Sequence, residues 1–578
     1  MMLMLRRKHR ITVRSNTNTK IKNQKSKIRK AVPISGRLFR FFFRTSTLKK
    51  SVLKKVVPIS LSIFSGLLLF VAWPVSPLTF LIFFGFVPLL FIAEQVEKKS
   101  SFFWYTFLSL LIWNASTTWW IWNSTDIGSV AAIIANSLLM CIPWVGFFAV
   151  KKRSGKLVGY FALVSFWMLF EYIHLNWQLS WPWLTLGNVF ATHPEWIQWY
   201  EYTGVSGGSF WVLISNILVF DIIQSIRMKD ALSKMLLKFL ALMLLPLLFS
   251  FFNLFYLIKH TFNSVAQSNV VIVQPNIDPF QKFEASNAAQ QIATLINLSE
   301  KQIDTFTKLV IWPETALSVV EWQNNIRNNL YYQPVFDFVN RHPEISLVSG
   351  IETLKSYNRA DESPTASKRE DGVYVDAFNA AIMIKANQPL QFYNKSKLVP
   401  GVESLPTFLK FMGPIFEKFG GSSGGYGKSD SSSVFHAENS PYFAAPIICY
   451  ESIYGEYVAS YVAKGANILT ILTNDGWWGN TPGHKQHLAY ARLRAIENRR
   501  WVARSANTGI SAVIDDKGNI LQTKPWDQAA SFKYPIPYSE ELTFYTKYGD
   551  WLYKAVSFLA ILLLGWNLFL VLKQKNVF

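Results

Sequence analysis

Ala445-Pro446-Ile447-Ile448-Cys449-Tyr450-Glu451-Ser452 is a short apolar run that stops abruptly at polar residues. Such a run reads as a buried strand, and it puts a thiol at the strand's C-terminal mouth, where α/β folds display their reactive groups. The chain has two cysteines, and the other, Cys141, lies inside a hydrophobic stretch, so no disulfide framework is on offer. Cys449 is therefore either a small buried hydrophobe or a reactive group. What decides between the two lies upstream.

Two further runs end on chemically useful residues. Lys308-Leu309-Val310-Ile311-Trp312-Pro313-Glu314-Thr315 leaves Glu314 just past a strand and a proline, and Tyr393-Asn394-Lys395-Ser396-Lys397-Leu398-Val399-Pro400 holds Lys395 before an apolar step. A thiol with an unperturbed pKa of about 8.5 is a poor nucleophile until it loses its proton. A carboxylate within reach takes that proton as general base, and a lysine alongside donates to the oxyanion of a tetrahedral intermediate. Each motif alone is weak; the three together, all at strand ends, are strong.

The β-rich runs around them are Asn269–Gln274, Leu309–Trp312, Ile345–Gly350, Ala377–Ile384, Ala445–Cys449, Ile468–Thr473 and Ile510–Ile514, with helical stretches at Ala288–Thr307 and Lys485–Arg500. That alternation predicts α/β layering over residues 266–545. Asp515-Asp516-Lys517-Gly518 reads as a hairpin turn. Leu405–Phe419 is an apolar stretch leading into the hinge-like Gly420-Gly421-Ser422-Ser423-Gly424-Gly425, and we expect it to act as a lid at a lipid interface. His484 and His487 are a possible metal pair, but no third ligand of suitable spacing accompanies them, and no metal is expected.

The first half of the chain differs. Apolar runs of spanning length, about 20 residues each, fall near 57–73, 76–94, 102–122, 128–150, 156–175, 205–225 and 234–257, with an eighth at 551–572. Residues 1–56 carry 18 Lys and Arg and no acid, so they hold most of the net charge of +22. This basic tail before a first span fits a cytoplasmic N-terminus, with or without contact to anionic lipid, rather than a nucleic-acid surface. The second, fourth and sixth connections are basic (Lys98 and Lys99; Lys151, Lys152 and Arg153; Arg227 and Lys229), whereas the first and third carry no Lys or Arg. Seven spans from an inside start leave residues 266–545 outside, and the eighth returns the chain. The fifth connection carries Trp177, Trp181, Trp183, Trp196, Trp199, Tyr200 and Tyr202, either as a structural belt or as a floor where lipid meets the external domain.

The three strand-end motifs, Trp312-Pro313-Glu314-Thr315, Tyr393-x-Lys395-x-x-Leu398-Val399-Pro400 and Cys449-Tyr450-Glu451, resemble the Glu-Lys-Cys triad of the nitrilase superfamily. Trp181-Pro182-Trp183-Leu184-x-Leu186-Gly187, Thr203-Gly204-Val205-x-Gly207 and Thr473-Asn474-Asp475-Gly476-Trp477-Trp478-Gly479 resemble the apolipoprotein N-acyltransferases. The likeness spans about residues 57–573. It implies an α-β-β-α sandwich on eight transmembrane helices, in the bacterial inner membrane with the catalytic domain in the periplasm, without metal or cofactor. It also implies Glu314 as base, Lys395 as oxyanion donor, Cys449 as nucleophile and Glu403 as a second acid, with Tyr450 and Glu451 shaping the pocket. Phe283 stands where members often carry a lid tryptophan. Leu398-Val399-Pro400-Gly401-Val402-Glu403 keeps the family's spacing to the acid but not its Phe-Gly, so a different loop shape is expected. The implied reaction moves an acyl chain from a membrane phospholipid, through a Cys449 thioester, to the N-terminal amine of a diacylglyceryl apolipoprotein, by an enzyme expected to be monomeric. The rivals are a membrane-tethered amidase and a non-enzymatic lipoprotein-binding module.

Overall fold

The computed structural model describes residues 50–229, 232–261, 268–359, 362–363, 365–413 and 425–574. Nearly all of the basic tail, the lid beyond Gly413 and the glycine hinge through Gly424 lie outside them. The helical half contains α1 (Lys50–Ala72), α2 (Val87–Gln95), α3 (Lys99–Thr118), α4 (Asp126–Ser154), α5 (Lys156–Asn176), α6 (Val205–Met228) and α7 (Ser233–Thr261). Helix α12 (Trp551–Gln574) closes the chain.

Helices α4, α5, α6, α7 and α12 are long and apolar enough to cross a membrane, whereas Val56–Ala72 and Thr79–Gln95 are shorter apolar stretches. Among the described residues, the expected count of eight is therefore not reached on length and composition alone. The second expected span is broken into a 3-10 turn, Thr79–Phe84, and α2. Helix α3 is less apolar because Thr106, Ser109, Asn114, Thr117 and Thr118 are buried on its inward side. There Asn136 of α4 donates to Asn114 Oδ1 at 2.7 Å, the kind of interhelical polar tie that holds helices together where no hydrophobic force between them is available. Exposed Leu237, Leu245, Phe251, Phe252 and Phe255 on α7, with Phe558, Ile561 and Leu568 on α12, form an apolar surface suited to lipid.

Between α7 and α12 come β1 (Asn269–Gln274), α8 (Ala288–Glu300), β2 (Thr307–Ile311), β3 (Leu317–Trp322), α9 (Gln333–Arg341), β4 (Ser346–Tyr357), β5 (Ser367–Lys368), β6 (Tyr374–Lys385) and β7 (Gln391–Asn394). Next are β8 (Phe435–His436), β9 (Phe443–Ile448), α10 (Gly455–Ala463), β10 (Ile468–Thr473), α11 (Pro482–Asn498), β11 (Val502–Ala506), β12 (Ser511–Ile514), β13 (Ile520–Lys524) and β14 (Ala530–Pro535). They build two sheets, one ordered β14-β1-β2-β4-β6-β5 with β3 on β4 and β7 on β6, the other β13-β12-β11-β10-β9-β8. The central neighbours β1, β2 and β4 run parallel, as do β9, β10 and β11.

Strand periodicity assembles the layers. In β1, Val270 and Ile272 join the core shared with the second sheet, while Val271 and Val273 join the core under α8 and α9. Leu309 and Ile311 against Val310 in β2 repeat the pattern. Strands covered on both faces must be apolar at every position, which is why these runs read as continuous. The expected α-β-β-α sandwich is thus present, with α10 and α11 on the outer side of the second sheet. Pro446 is tolerated in β9 because β8 pairs only with Phe443 and Ala444, leaving that edge free of ladder bonds farther on. The Asp515–Gly518 turn joins β12 to β13 as expected, with Gly518 at φ +82°.

Strands β3, β7, β11, β13 and β14 were not legible in the sequence. The helix expected over Ala288–Thr307 stops at Glu300, since β2 begins at Thr307.

Candidate active site

Glu314, Lys395 and Cys449 follow β2, β7 and β9, and the two sheets bring these strand ends together. The turn carrying Glu314 lies tight against β4: a Cβ at Gly350 would sit 2.3 Å from Thr315 N and 2.6 Å from Glu314 Cα. Lys395 is buried, with Nζ 3.1 Å from Glu314 Oε1 and 2.7 Å from Glu403 Oε1. Asn379, in the middle of β6, donates to both carboxylates at 2.8 and 3.0 Å, and Asn474 N donates to Glu314 Oε2 at 3.1 Å. Glu403 Oε2 accepts from Val399 N at 2.8 Å. The altered loop before Glu403 turns at Gly401, whose φ of +82° suits glycine and would strain a phenylalanine.

Cys449 is buried at φ +49°, a left-handed conformation costing a residue with a Cβ about 1–2 kcal/mol. Its carbonyl accepts from Ser452 Oγ at 2.7 Å and lies 3.2 Å from His487 Nε2. His487 Nδ1 is 2.9 Å from Asp475 Oδ1, and Arg504 donates to Asp475 Oδ2 at 2.7 Å. Burial would raise Asp475, but Arg504 and His487 outweigh it and hold the carboxyl well below its ordinary range. His484 instead packs against Trp526 in a tilted arrangement, with ring centroids 4.4 Å apart.

Electrostatics divide the labour. Burial, then the Glu314 carboxylate, push the Cys449 thiol well above its ordinary value, against an opposing pull from Lys395. Burial disfavours a charged Lys395, yet Glu314 and Glu403 together reverse this and set the ammonium well above its ordinary value. Burial thus favours the neutral thiol, while the paired carboxylates favour the charged lysine. Such a thiol is inert until a base takes its proton as bonding begins.

Glu451 ties the lysine to the cysteine. Fully buried, its Oε1 accepts from Tyr393 OH at 2.5 Å, Ser396 N at 2.7 Å and Lys397 N at 3.2 Å, while Oε2 accepts from Ile448 N at 2.9 Å. One carboxylate thus fastens the end of β7 to the end of β9. Burial raises its pKa, against those donors. Glu451→Gln keeps the shape but turns an NH2 toward N–H donors. We expect it to cost about 2–3 kcal/mol of stability and to lower turnover at least tenfold, read from thermal unfolding and steady-state rates on the same preparation.

Tyr450 looks the other way. Its hydroxyl donates to Ser180 O at 2.9 Å, in the connection between α5 and α6, and Tyr454 OH lies 2.6 Å from Ser180 Oγ. Trp183 of the same connection packs against Trp120, Trp478, His487 and Tyr490 at centroid distances of 4.8–5.9 Å. Arg499 at the end of α11 binds Glu201 and Gln198. The aromatic connection, read in the sequence as belt or floor, is chiefly a dock: Trp183 and Tyr200 are buried between the halves, while Tyr202 is exposed. The residue next to Cys449 is thereby anchored in the membrane half.

Phe283 is half-exposed and lines a cavity of about 330 Å³ with Ser318, Glu352 and Tyr426. In the described part of the lid, Phe408 and Phe411 are exposed, and Thr407 N donates to Gln178 Oε1 at 2.8 Å. Sequence reasoning missed Asn379, Lys282, Ser180 and the His487–Asp475–Arg504 group as supports of the site. Asn379 had a signal, a lone amide within an apolar strand; Lys282 and Ser180 had none.

A cysteine, a lysine and carboxylates on facing strand ends of two packed sheets define a carbon-nitrogen hydrolase type of fold, and residues 269–531 match the family model described as Carbon-nitrogen hydrolase. Residues 65–218 match the Apolipoprotein N-acyltransferase N-terminal domain. Proteins named apolipoprotein N-acyltransferase from Chlorobaculum tepidum and Geobacter metallireducens are 32% and 26% identical, covering 85% of this chain and 93% and 91% of theirs. The chain belongs to the apolipoprotein N-acyltransferase family and is an acyltransferase with a membrane-type helical half. Among solved structures it is similar to Nit3 of Saccharomyces cerevisiae, a nitrilase-superfamily member, at 18% identity and a TM-score of 0.34 over 47% of this chain and 91% of that one. An amidase from Nesterenkonia sp. is similar at 14% and 0.33, over 50% and 96%.

Proposed function

We propose that this enzyme takes an acyl chain from a membrane phospholipid onto Cys449 as a thioester. It then passes the chain to the N-terminal α-amine of diacylglyceryl-cysteine on an apolipoprotein, the last step of lipoprotein maturation. The observation that carries the reading is the Lys395 ammonium held between Glu314 and Glu403 at the strand ends that also present the buried Cys449 thiol. Glu314 accepts the Sγ proton as sulfur attacks the ester carbonyl, and Lys395 donates to the oxyanion. The intermediate collapses, and the departing lysophospholipid oxygen takes the proton back. In the second half-reaction the amine attacks the thioester and loses a proton to Glu314. The thiolate leaves and is reprotonated. Glu403 holds Lys395 in place, Tyr450 and Glu451 hold the elbow, and Phe283 borders the entrance.

Incubation with a lipid extract tests this. Lysophospholipid should accumulate only when Cys449 is present. A membrane-tethered amidase, the runner-up, would act on amides and release none.

The same reading divides the chain into a basic tail (1–56), a membrane domain (57–260), a periplasmic catalytic domain (266–545) and a returning helix (551–572), in the bacterial inner membrane with both termini inside. The basic even-numbered connections support it. In a Cys141→Ala, Cys449→Ala background, a cysteine introduced at exposed Ser431 should react with an impermeant thiol reagent in intact spheroplasts. Reaction only after the membrane is opened would reverse the orientation.

A further inference from the structure

Lys282 lies on the loop between β1 and α8, and its side chain is fully buried. Its Nζ donates to the Glu314 carbonyl at 2.6 Å and to Thr315 Oγ1 at 2.7 Å. Thr315 adopts φ +48°, a left-handed conformation that is unusual for a β-branched residue and persists only when its surroundings impose it. The two bonds from Lys282 are such an imposition, on the very turn that aims the Glu314 carboxylate at Lys395. The charged groups facing Nζ are Glu314 after β2 and Glu352 on β4; beyond Glu314 stand Lys395 and Glu403. Burial pulls the ammonium down to about 8, against Glu314 and Glu352.

The loop has a second face. Phe280 and Phe283, on either side of Lys282, are exposed, and Phe280 packs edge-on against Trp477 at 5.3 Å. Gln291 of α8 holds the loop from behind, donating to Lys282 O at 3.0 Å and accepting from Ser318 Oγ at 3.2 Å. The segment forming the aromatic mouth and the turn carrying the carboxylate are thus joined through one ammonium group.

We propose that Lys282 is a positioning residue for Glu314: it holds the Glu314–Thr315 turn in its left-handed shape and couples the base to the seating of the Phe280–Phe283 mouth. This rests on the reading of Glu314 as the base for Cys449. The test is the pH profile of Cys449 alkylation by iodoacetamide in the full-length enzyme in lipid nanodiscs, read beside kcat and KM. In Lys282→Met the profile midpoint should move up by about one pH unit, the size of effect one nearby opposite charge exerts. Labelling at neutral pH should fall about tenfold and kcat should fall with KM little changed. Lys282→Arg, which keeps the charge, should keep the midpoint. Thr315→Val should shift it less, in the same direction.

A lowered melting temperature with an unmoved midpoint in Lys282→Met would overturn the proposal. Should that variant fail to fold, an unmoved midpoint and kcat in Thr315→Val would overturn it equally. Glu314→Gln separates the two readings. Wild-type alkylation in Glu314→Gln would sink the base assignment itself, whereas a flattened profile there with an unmoved Lys282→Met would sink the positioning role alone.

Discussion

Replacing Cys449 by alanine is expected to abolish both acyl transfer and a covalent adduct on the protein. Splitting the reaction in two requires an intermediate that outlives departure of the first product, and a thioester in a buried site suits that: it is shielded from water yet reactive toward an amine. Enzyme purified from membranes should therefore carry a fraction of molecules heavier by one acyl chain, and hydroxylamine should remove that mass. Cys449→Ser should form at most a slowly turning-over oxygen ester, because an alkoxide is a worse leaving group than a thiolate. The raised thiol pKa sharpens the expectation. A thiol whose pKa burial raises is expected to react slowly with alkylating reagents near neutral pH. Acylation of a diacylglyceryl peptide by Cys449→Ala protein would end the thioester mechanism for this chain.

Lys395→Met is expected to be nearly as severe, for two separable reasons. Loss of an oxyanion donor costs about 3–4 kcal/mol of transition-state stabilisation, or roughly a thousandfold in rate. The same change leaves Glu314 and Glu403 sharing a buried site with no cation between them, and breaking a buried ion pair from one side costs about 3–5 kcal/mol of stability. Adding Glu403→Gln to Lys395→Met removes one of the stranded charges. The double variant should recover much of the lost melting temperature and none of the lost rate. Recovery of both would mean that Lys395 acts only by holding the fold together.

The chemistry was more legible than the architecture around it. Strands β1 and β10 begin and end where the apolar runs do, and β9 stops one residue before Cys449. Strands buried on both faces must be apolar throughout, and the change to polar residues marks where the sheet hands the chain to the site. Strands β7, β13 and β14 escaped because they are short or partly exposed, and mixed burial erases the apolar run that announces a strand. The helical count differs for another reason. The run expected to span at 102–122 forms α3, whose buried polar residues leave it less apolar than the five long helices.

What the sequence by itself determined was the set of candidate groups. Glu314 and Cys449 each follow an apolar strand-like run, and local pattern suffices to find such a strand's end; Lys395 stands out by its place before the apolar step Leu398-Val399-Pro400. What only the tertiary structure decided was how those ends are held. Glu451 joins β7 to β9 across 55 residues of chain, Lys282 grips a turn 32 residues away, and Tyr450 reaches a carbonyl 270 residues upstream. None of these has a periodicity to read, because a hydrogen bond between distant segments depends on where two backbones come to lie. That is fixed by the packing of two sheets against each other and of the sandwich against the membrane half, after local preference has done its work.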